Sequence, residues 1–386
     1  MSEVEAPPGR PTAPARVVPA TVSRRLPDFP WDRLVPYAER ARAHPDGFAD
    51  LSVGSPVDPT PDSVQAALAS AADAPGYPTT VGTPACRQAA IDWLSRRCGV
   101  GGLGLDAVLP SIGSKELIAS LPTHLGLGRG DTVVIPELAY PTYEVGARLA
   151  GCDVVMSDST LALGPAVPAL IWLNSPANPT GRVLPVDHLR KVVHWARARG
   201  VLVVSDECYL ECAWETSPVS VLHPDVSGGS VEGVLAVHSL SKRSNMAGYR
   251  AAFVAGDPAV LSELLAVRKN LGLMVPTAVQ AAMIAALDDD ESVAAQHARY
   301  AARRALLRAA LEGAGFRIDH SEASLYLWAT RDEPCLRTVS WLADRGILVA
   351  PGDFYGVAGA RHVRVAFTAT DDAVARAVAR LAAVAT

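Results

Sequence analysis

Val234-Leu235-Ala236-Val237-His238-Ser239-Leu240-Ser241-Lys242 is the stretch on which the fold turns. Its apolar run reads as a strand buried on both faces, the pattern of a parallel sheet covered by helices. The run then stops at two hydroxyls and a lysine, and Arg250 follows eight residues on in Gly248-Tyr249-Arg250. A lone lysine is ordinarily a solvated surface residue. This one lies just past a strand end, flanked by hydroxyls and near a second cation. Three further elements stand upstream of it: Gly113-Ser114-Lys115, Asn178-Pro179-Thr180-Gly181 and Ser205-Asp206-Glu207-Cys208-Tyr209.

Outward from that strand, short β-rich runs recur at 107–110, 132–135, 153–156, 169–173, 201–205, 234–238 and 251–255. Helical patterns such as 185–199 separate several of them. This alternation predicts a doubly wound α/β domain with a mainly parallel seven-stranded sheet. Ligands of such sheets sit beyond the carboxyl ends of the strands, where Asp206 and Lys242 both fall. From 258 onward the pattern changes to long helices (258–269, 277–287, 291–314) and then a mixture of short runs at 325–329, 338–345, 363–367 and 371–384. That half reads as a smaller α+β domain.

The four motifs answer the chemical demands of one cofactor, pyridoxal phosphate. Its aldehyde needs an amine, which Lys242 supplies. Its pyridine nitrogen must stay protonated to draw electrons, so a carboxylate must face it, and Asp206 is placed to do so. Such a pair raises the pyridine pKa and lowers that of the aspartate. The ring oxygen needs neutral donors, and Asn178 and Tyr209 can provide them. The phosphate needs backbone N–H groups at a helix start, hydroxyls and a cation. Ser114 and Lys115 open a predicted helix, and Ser239, Ser241 and Arg250 complete the set. No cysteine or histidine spacing suggests a metal.

On these motifs the chain resembles the fold-type I, class I/II aminotransferases, from about residue 28 to the C-terminus. The resemblance implies more than the residues alone do. Tyr140, in Ala139-Tyr140-Pro141, matches the aromatic that stacks on the cofactor ring. Tyr77 matches a tyrosine that reaches the neighbouring subunit's phosphate, so a homodimer is expected. Arg364, in His362-Val363-Arg364-Val365, matches the arginine that holds the substrate α-carboxylate, and Gly54 a glycine bordering it. The resemblance also implies a large cofactor-binding domain over 61–274, with 26–60 folding back onto 275–386 to form the small domain. Two departures stand out. Ala252 occupies a position where the family carries glycine, and Cys86 one where it more often carries leucine; both read as core positions.

Composition sets limits on the alternatives. The chain has 386 residues, 49% hydrophobic and 19% charged, with a net charge of −5. That is ample for a large core, and the mild acidity argues against a nucleic-acid partner. Six scattered cysteines without paired spacing fit free thiols in a reducing compartment. No apolar run reaches membrane-spanning length and the N-terminus lacks the pattern of a secretory signal, so a cytoplasmic protein is expected. Residues 1–25 carry Pro7, Pro8, Pro11, Pro14 and Pro19 and read as a disordered tail. His238 reads as a packed core residue rather than a proton carrier.

The stretch 241–250 and the segment from Phe29-Pro30-Trp31-Asp32 to Gly82-Thr83 look like the actinobacterial succinyldiaminopimelate transaminase branch. That implies amino transfer between glutamate and N-succinyl-2-amino-6-oxopimelate. An aminotransferase for another amino acid, such as aspartate or alanine, and a pyridoxal-phosphate-dependent Cβ lyase share the same motifs. A succinylated substrate brings extra anionic groups, and Lys269 and Arg243 are the candidate cations for them.

Overall fold

The computed structural model describes residues 26–383. The expected tail at 1–25 lies outside the described residues. After a single turn at Pro30–Leu34 come α1 (Val35–Arg42), β1 (Ala49–Asp50), α2 (Asp62–Ser70) and α3 (Pro84–Cys98). Cys86 is buried in α3 as read, and burial pushes its thiol up to about 12, so it packs as an inert apolar group.

Seven strands then build one sheet: β2 (Val108–Ser111), β3 (Thr132–Ile135), β4 (Asp153–Met156), β5 (Leu170–Asn174), β6 (Leu202–Asp206), β7 (Val234–Ser239) and β8 (Ala252–Gly256). Their spatial order is β2-β8-β7-β6-β5-β3-β4, and only β8 runs antiparallel to its neighbours. The helices between them are α4 (Ser114–His124), α5 (Thr142–Ala150), α6 (Val186–Arg197) and the one-turn α7 (Pro224–Ser227) and α8 (Leu240–Arg243). Both faces are covered, as continuous apolar strands require. Val203 and Ala236 point into one core; Val204, Leu235 and Val237 point into the other. β4 departs from the reading. It is one of the two edge strands, and Val155 and Met156 are exposed. Ala252 is fully buried on β8 between Ser111 and Ser239, so its methyl group is accommodated.

The chain continues through α9 (Pro258–Leu271), α10 (Thr277–Asp288) and the 24-residue α11 (Asp290–Gly313). A four-stranded sheet follows, in the order β12-β13-β10-β9, from β9 (Arg317–Asp319), β10 (Tyr326–Thr330), β12 (Ala350–Pro351) and β13 (His362–Ala366). α12 (Cys335–Ala343) packs against it, and α13 (Asp371–Ala382) packs on α11 and β1. The N-terminal segment joins this half: β1 pairs in parallel with β11 (Ile347–Leu348). Asp58 receives two bonds of 2.7 Å from the buried Arg303 of α11, a bidentate pair that fixes the returning strand.

Register explains why the functional residues meet. Asn174 pairs with Asp206 across β5 and β6, and Asp206 with Val237 across β6 and β7. Asn174, Asp206 and Ser239 are the last residues of their strands. Three parallel strands therefore deliver three polar groups to one end of the sheet.

Candidate active site

Asp206 is 5% exposed at the end of β6. Tyr143 Oη donates to its Oδ2 at 2.7 Å and the Cys208 amide to its Oδ1 at 3.2 Å. Burial raises its pKa in spite of those bonds. No lysine, arginine or histidine pairs with it among the described residues, so its orientation is fixed by neutral donors. That is the environment in which a bound pyridinium would be the natural counter-charge. Tyr143 stacks on Trp172, with ring centroids 5.0 Å apart, and meets Tyr140 edge-on at 5.8 Å. Tyr140 thus has one aromatic flank fixed. Burial pushes its phenol up to about 12, so it presents a neutral ring.

The turn after β5 carries the neutral donors. Asn174 Nδ2 donates to the Asp206 carbonyl at 2.9 Å, and its Oδ1 accepts from the Asn178 amide at 2.8 Å. Asn178 Oδ1 in turn accepts from Arg364 Nη1 at 2.8 Å, while Arg364 Nη2 donates to the Ser52 carbonyl at 2.7 Å. Arg364 is 3% exposed, and Tyr326 and Tyr355 lie at 4.0 and 4.9 Å from its guanidinium carbon. Tyr209 Oη is 2.9 Å from Tyr326 Oη, and burial pushes its phenol well up. Both proposed ring-oxygen donors are therefore neutral, and one is joined directly to the arginine.

The phosphate candidates gather around α4. Gly113 precedes it at φ +101°, a conformation that favours glycine. A Cβ there would come within 2.1 Å of Arg250 Nη2. The bare Cα is what lets the guanidinium reach the helix start, where backbone N–H groups and the helix dipole favour an anion. Arg250 itself sits at φ +57°, a conformation that costs a side-chain-bearing residue of order 1–3 kcal/mol and clusters at binding sites. Ser239 Oγ donates to Ser241 Oγ at 3.0 Å and caps α8 by accepting from the Ser241 amide. Lys115 contributes only its place in the first turn of α4; its side chain is exposed.

Lys242 stands between these groups on α8, and its Nζ donates to the Gly54 carbonyl at 2.5 Å. A Cβ on Gly54 would lie 2.3 Å from Tyr326 Oη, so this position also needs a bare Cα. Tyr77 is 95% exposed and is not brought into the site of its own chain. Arg243 and Lys269, expected as cations for the substrate's extra anionic groups, lie elsewhere. Arg243 is buried beneath the site, paired with Glu211 and bonded to the Ala286 carbonyl at 2.6 Å, and Lys269 is exposed on α9. Neither joins the Arg364 cluster. Sequence reasoning missed Tyr143, Asn174, Tyr326 and Tyr355. Only Tyr143 left a trace, three residues after Tyr140 in the first turn of a helix. A cavity of about 210 Å³ beside the Asn178 turn is lined by Ile171, Leu173, Ala177, Arg182 and His188, and contains none of Lys242, Asp206 or Arg364.

Glu207, next to Asp206, is 2% exposed. Its Oε1 accepts from the Val221 amide at 2.7 Å, and its Oε2 lies 3.5 Å from His238 Nε2. His238 is packed between Trp93 and Phe253, as a core residue. Burial raises the Glu207 carboxyl from 4.5 to about 7 and lowers His238 to about 3. A carboxyl whose folded pKa exceeds its unfolded value stabilises the fold fully below the unfolded pKa and loses that contribution as pH rises to the folded one. Glu207→Gln does not titrate. Its stability relative to wild type should therefore rise by about 2–3 kcal/mol between pH 5 and pH 8. Denaturant melts at the two pH values measure this; parallel shifts would contradict it.

These groups match the chemistry of pyridoxal phosphate at every end: a carboxylate without a cation, two neutral donors, an anion cradle and a lysine. Comparison with known proteins agrees. Residues 47–381 match the family model described as aminotransferase class I and II. The chain is 63% identical over 369 residues to "Probable aminotransferase Rv1178" of Mycobacterium tuberculosis, covering 96% of this chain and 88% of that one. It is 60% identical over 358 residues to the 4-dedimethylamino-4-oxo-anhydrotetracycline transaminase OxyQ of Streptomyces rimosus, covering 93% and 99%. An LL-diaminopimelate aminotransferase of Dehalococcoides mccartyi is 33% identical, covering 94% and 98%. Among solved structures, a probable N-succinyldiaminopimelate aminotransferase of Thermus thermophilus superposes with a TM-score of 0.82 at 27% identity, covering 92% and 100%. The chain belongs to the class I and II aminotransferase family and is a pyridoxal-phosphate-dependent transaminase of fold type I.

Proposed function

We propose that this transaminase exchanges an amino group between glutamate/2-oxoglutarate and N-succinyl-2-amino-6-oxopimelate, in diaminopimelate and lysine synthesis. The amino-transfer chemistry rests on one observation above the others: Lys242 Nζ, the buried Asp206 and the Asn178–Arg364 pair converge at the ends of adjacent strands. The cofactor, when bound, supplies an electron sink for the bonds at the substrate Cα. Asp206 would hold the ring nitrogen, Asn178 and Tyr209 the ring oxygen, and Tyr140 the ring face. Ser114, Lys115 through its backbone amide, Ser239, Ser241 and Arg250 would hold the phosphate. Arg364 pairs with the α-carboxylate beside Gly54, and Lys242 Nζ removes and returns the Cα proton as general acid and base.

The substrate is supported by the diaminopimelate-related names among the relatives and structures. The 60% identity to the anhydrotetracycline transaminase favours a second reading, a related oxo acceptor. A half-reaction screen decides. The protein is offered N-succinyl-diaminopimelate, free diaminopimelate, aspartate, alanine and glutamate singly, and conversion to the pyridoxamine form is followed by absorbance. The succinylated substrate should exceed diaminopimelate, aspartate and alanine by at least about tenfold in kcat/KM, a difference of about 1.4 kcal/mol. Equal use of free and succinylated diaminopimelate, with alanine or aspartate preferred, would remove the substrate assignment and leave the transaminase standing.

Residues 61–274 would then act as the large cofactor-binding domain and 26–60 with 275–386 as the small one. The exposed Tyr77 would complete the phosphate site of a two-fold partner. Cofactor should accordingly raise dimer stability by linkage, and sizing that finds a fully active monomer would contradict it. All six cysteines are free, which supports a reducing cytoplasm.

A further inference from the structure

Tyr355 occupies a position that the assignments above leave without a task. Its carbonyl accepts from the Ala139 amide at 2.8 Å, which fixes it to the loop carrying Tyr140. Its ring lies 4.9 Å from the Arg364 guanidinium carbon and meets Trp328 and Trp31 edge-on, with centroids 6.4 Å apart in each pair. Its hydroxyl is buried and has no hydrogen-bond partner among the described residues. Burial pushes the phenol well up, and Arg364, Tyr326 and Tyr140 all act on it electrostatically, so it is a neutral donor among these side chains. Behind it, Trp31 Nε1 is also buried without a partner among the described residues. Arg33 holds the tryptophan's turn in place by donating to Asp353 at 2.8 Å and covering Phe354.

A buried hydroxyl left unpaired costs about 1–3 kcal/mol, and such groups usually meet a partner. The partner here is not the α-carboxylate. A carboxylate pairs with arginine in the guanidinium plane, whereas the guanidinium of Arg364 lies over the face of Tyr355, which leaves the hydroxyl further out along the ring edge. The walls around it are aromatic, and a second carboxylate buried there without its own cation would be costly. An uncharged carbonyl oxygen fits both demands. It accepts one hydrogen bond and sits against apolar ring faces.

We infer that Tyr355 is a specificity-determining residue whose hydroxyl donates to an uncharged carbonyl oxygen on the substrate beyond its α-carboxylate, with Trp31 forming the wall behind it. This rests on the amino-transfer function proposed above. An acyl amide on the distal nitrogen of a diaminopimelate has the required group. The free distal amine does not.

The experiment compares wild type with Tyr355→Phe, which keeps the ring and removes only the hydroxyl. Each is assayed with N-succinyl-diaminopimelate, N-acetyl-diaminopimelate and free diaminopimelate, with cofactor absorbance as the check on folding. Wild type should prefer both acyl substrates, including the acetyl one, which lacks the extra carboxylate of the succinyl group. Tyr355→Phe should lower the ratio of acyl to free kcat/KM by about tenfold or more, while the bound-cofactor spectrum is retained. An equal loss on all three substrates would place the hydroxyl at the shared carboxylate and overturn the inference. Preference for the succinyl but not the acetyl substrate, or an unchanged ratio in the variant, would overturn it as well. Wild type that transfers from none of the three overturns the proposed function itself; wild type that uses all three equally removes the substrate assignment together with this inference, and an unchanged ratio in the variant alone overturns only this inference.

Discussion

Lys242→Ala should leave a folded, colourless protein whose turnover is at least about 10⁴-fold below wild type. The lysine has two tasks, and the substitution removes both. It attaches the cofactor covalently, and it moves the Cα proton, a step whose general acid–base contribution alone is about 10²–10⁴-fold. The structure indicates that the fold survives. Lys242 is only half-buried, and among the described residues its side chain bonds to the Gly54 carbonyl at 2.5 Å and pairs with no carboxylate. Removing it strands no buried counter-charge, the usual route to severe destabilisation. Circular dichroism should therefore match wild type while the cofactor absorbance is lost. Activity within tenfold of wild type would exclude Lys242 from the chemistry.

Asp206→Asn should lower turnover by about 10²–10³-fold while much of the cofactor stays bound. Breaking a buried ion pair by removing one charge costs about 3–5 kcal/mol, which at 1.36 kcal/mol per decade spans about two to nearly four orders of magnitude, and the lower part is expected here because the amide keeps a local hydrogen bond. The amide can still accept from Tyr143 Oη or the Cys208 amide, so the local packing is kept. It cannot stabilise a positive ring nitrogen, and the electron sink weakens. The phosphate cradle at Gly113, Arg250 and Ser239 is untouched, and so is Lys242. Stopped-flow measurement of the half-reaction separates this loss in rate from any loss of cofactor. A rate within tenfold of wild type would show that another group faces the ring.

The strands and the residues at their ends were legible because both depend on local pattern. The runs 132–135 and 153–156 are observed with those bounds, and Asp206, Ser239 and Lys242 lie where the apolar runs stop. The carboxylate, hydroxyls and lysine stand out against a hydrophobic background. Partners chosen by tertiary packing were not legible. Tyr143 finds Asp206 across 63 residues, and Arg364 finds Ser52 across 312. Neither separation carries any periodic signal. Edge position is also tertiary. β4 has the same apolar composition as its neighbour, yet at its edge of the sheet Val155 and Met156 are left exposed, whereas β2 at the other edge is covered. Arg243 failed as a substrate cation for a related reason. A charge one residue from Lys242 in sequence turns to the opposite side of a one-turn helix, where Glu211 neutralises it. Tyr326 and Tyr355 draw no reading at all, since nothing in a single sequence marks which phenols will stack on a buried arginine.

The central claim is that one lysine at the end of β7 carries the cofactor of a transaminase. Borohydride reduction of the purified, cofactor-loaded protein, followed by proteolysis and mass spectrometry, tests it most directly. The account predicts a single pyridoxyl adduct, on the peptide containing Ser241-Lys242-Arg243, that disappears when an amino donor converts the cofactor to its amine form before reduction. An adduct on another lysine, or none on fully loaded protein, would contradict it.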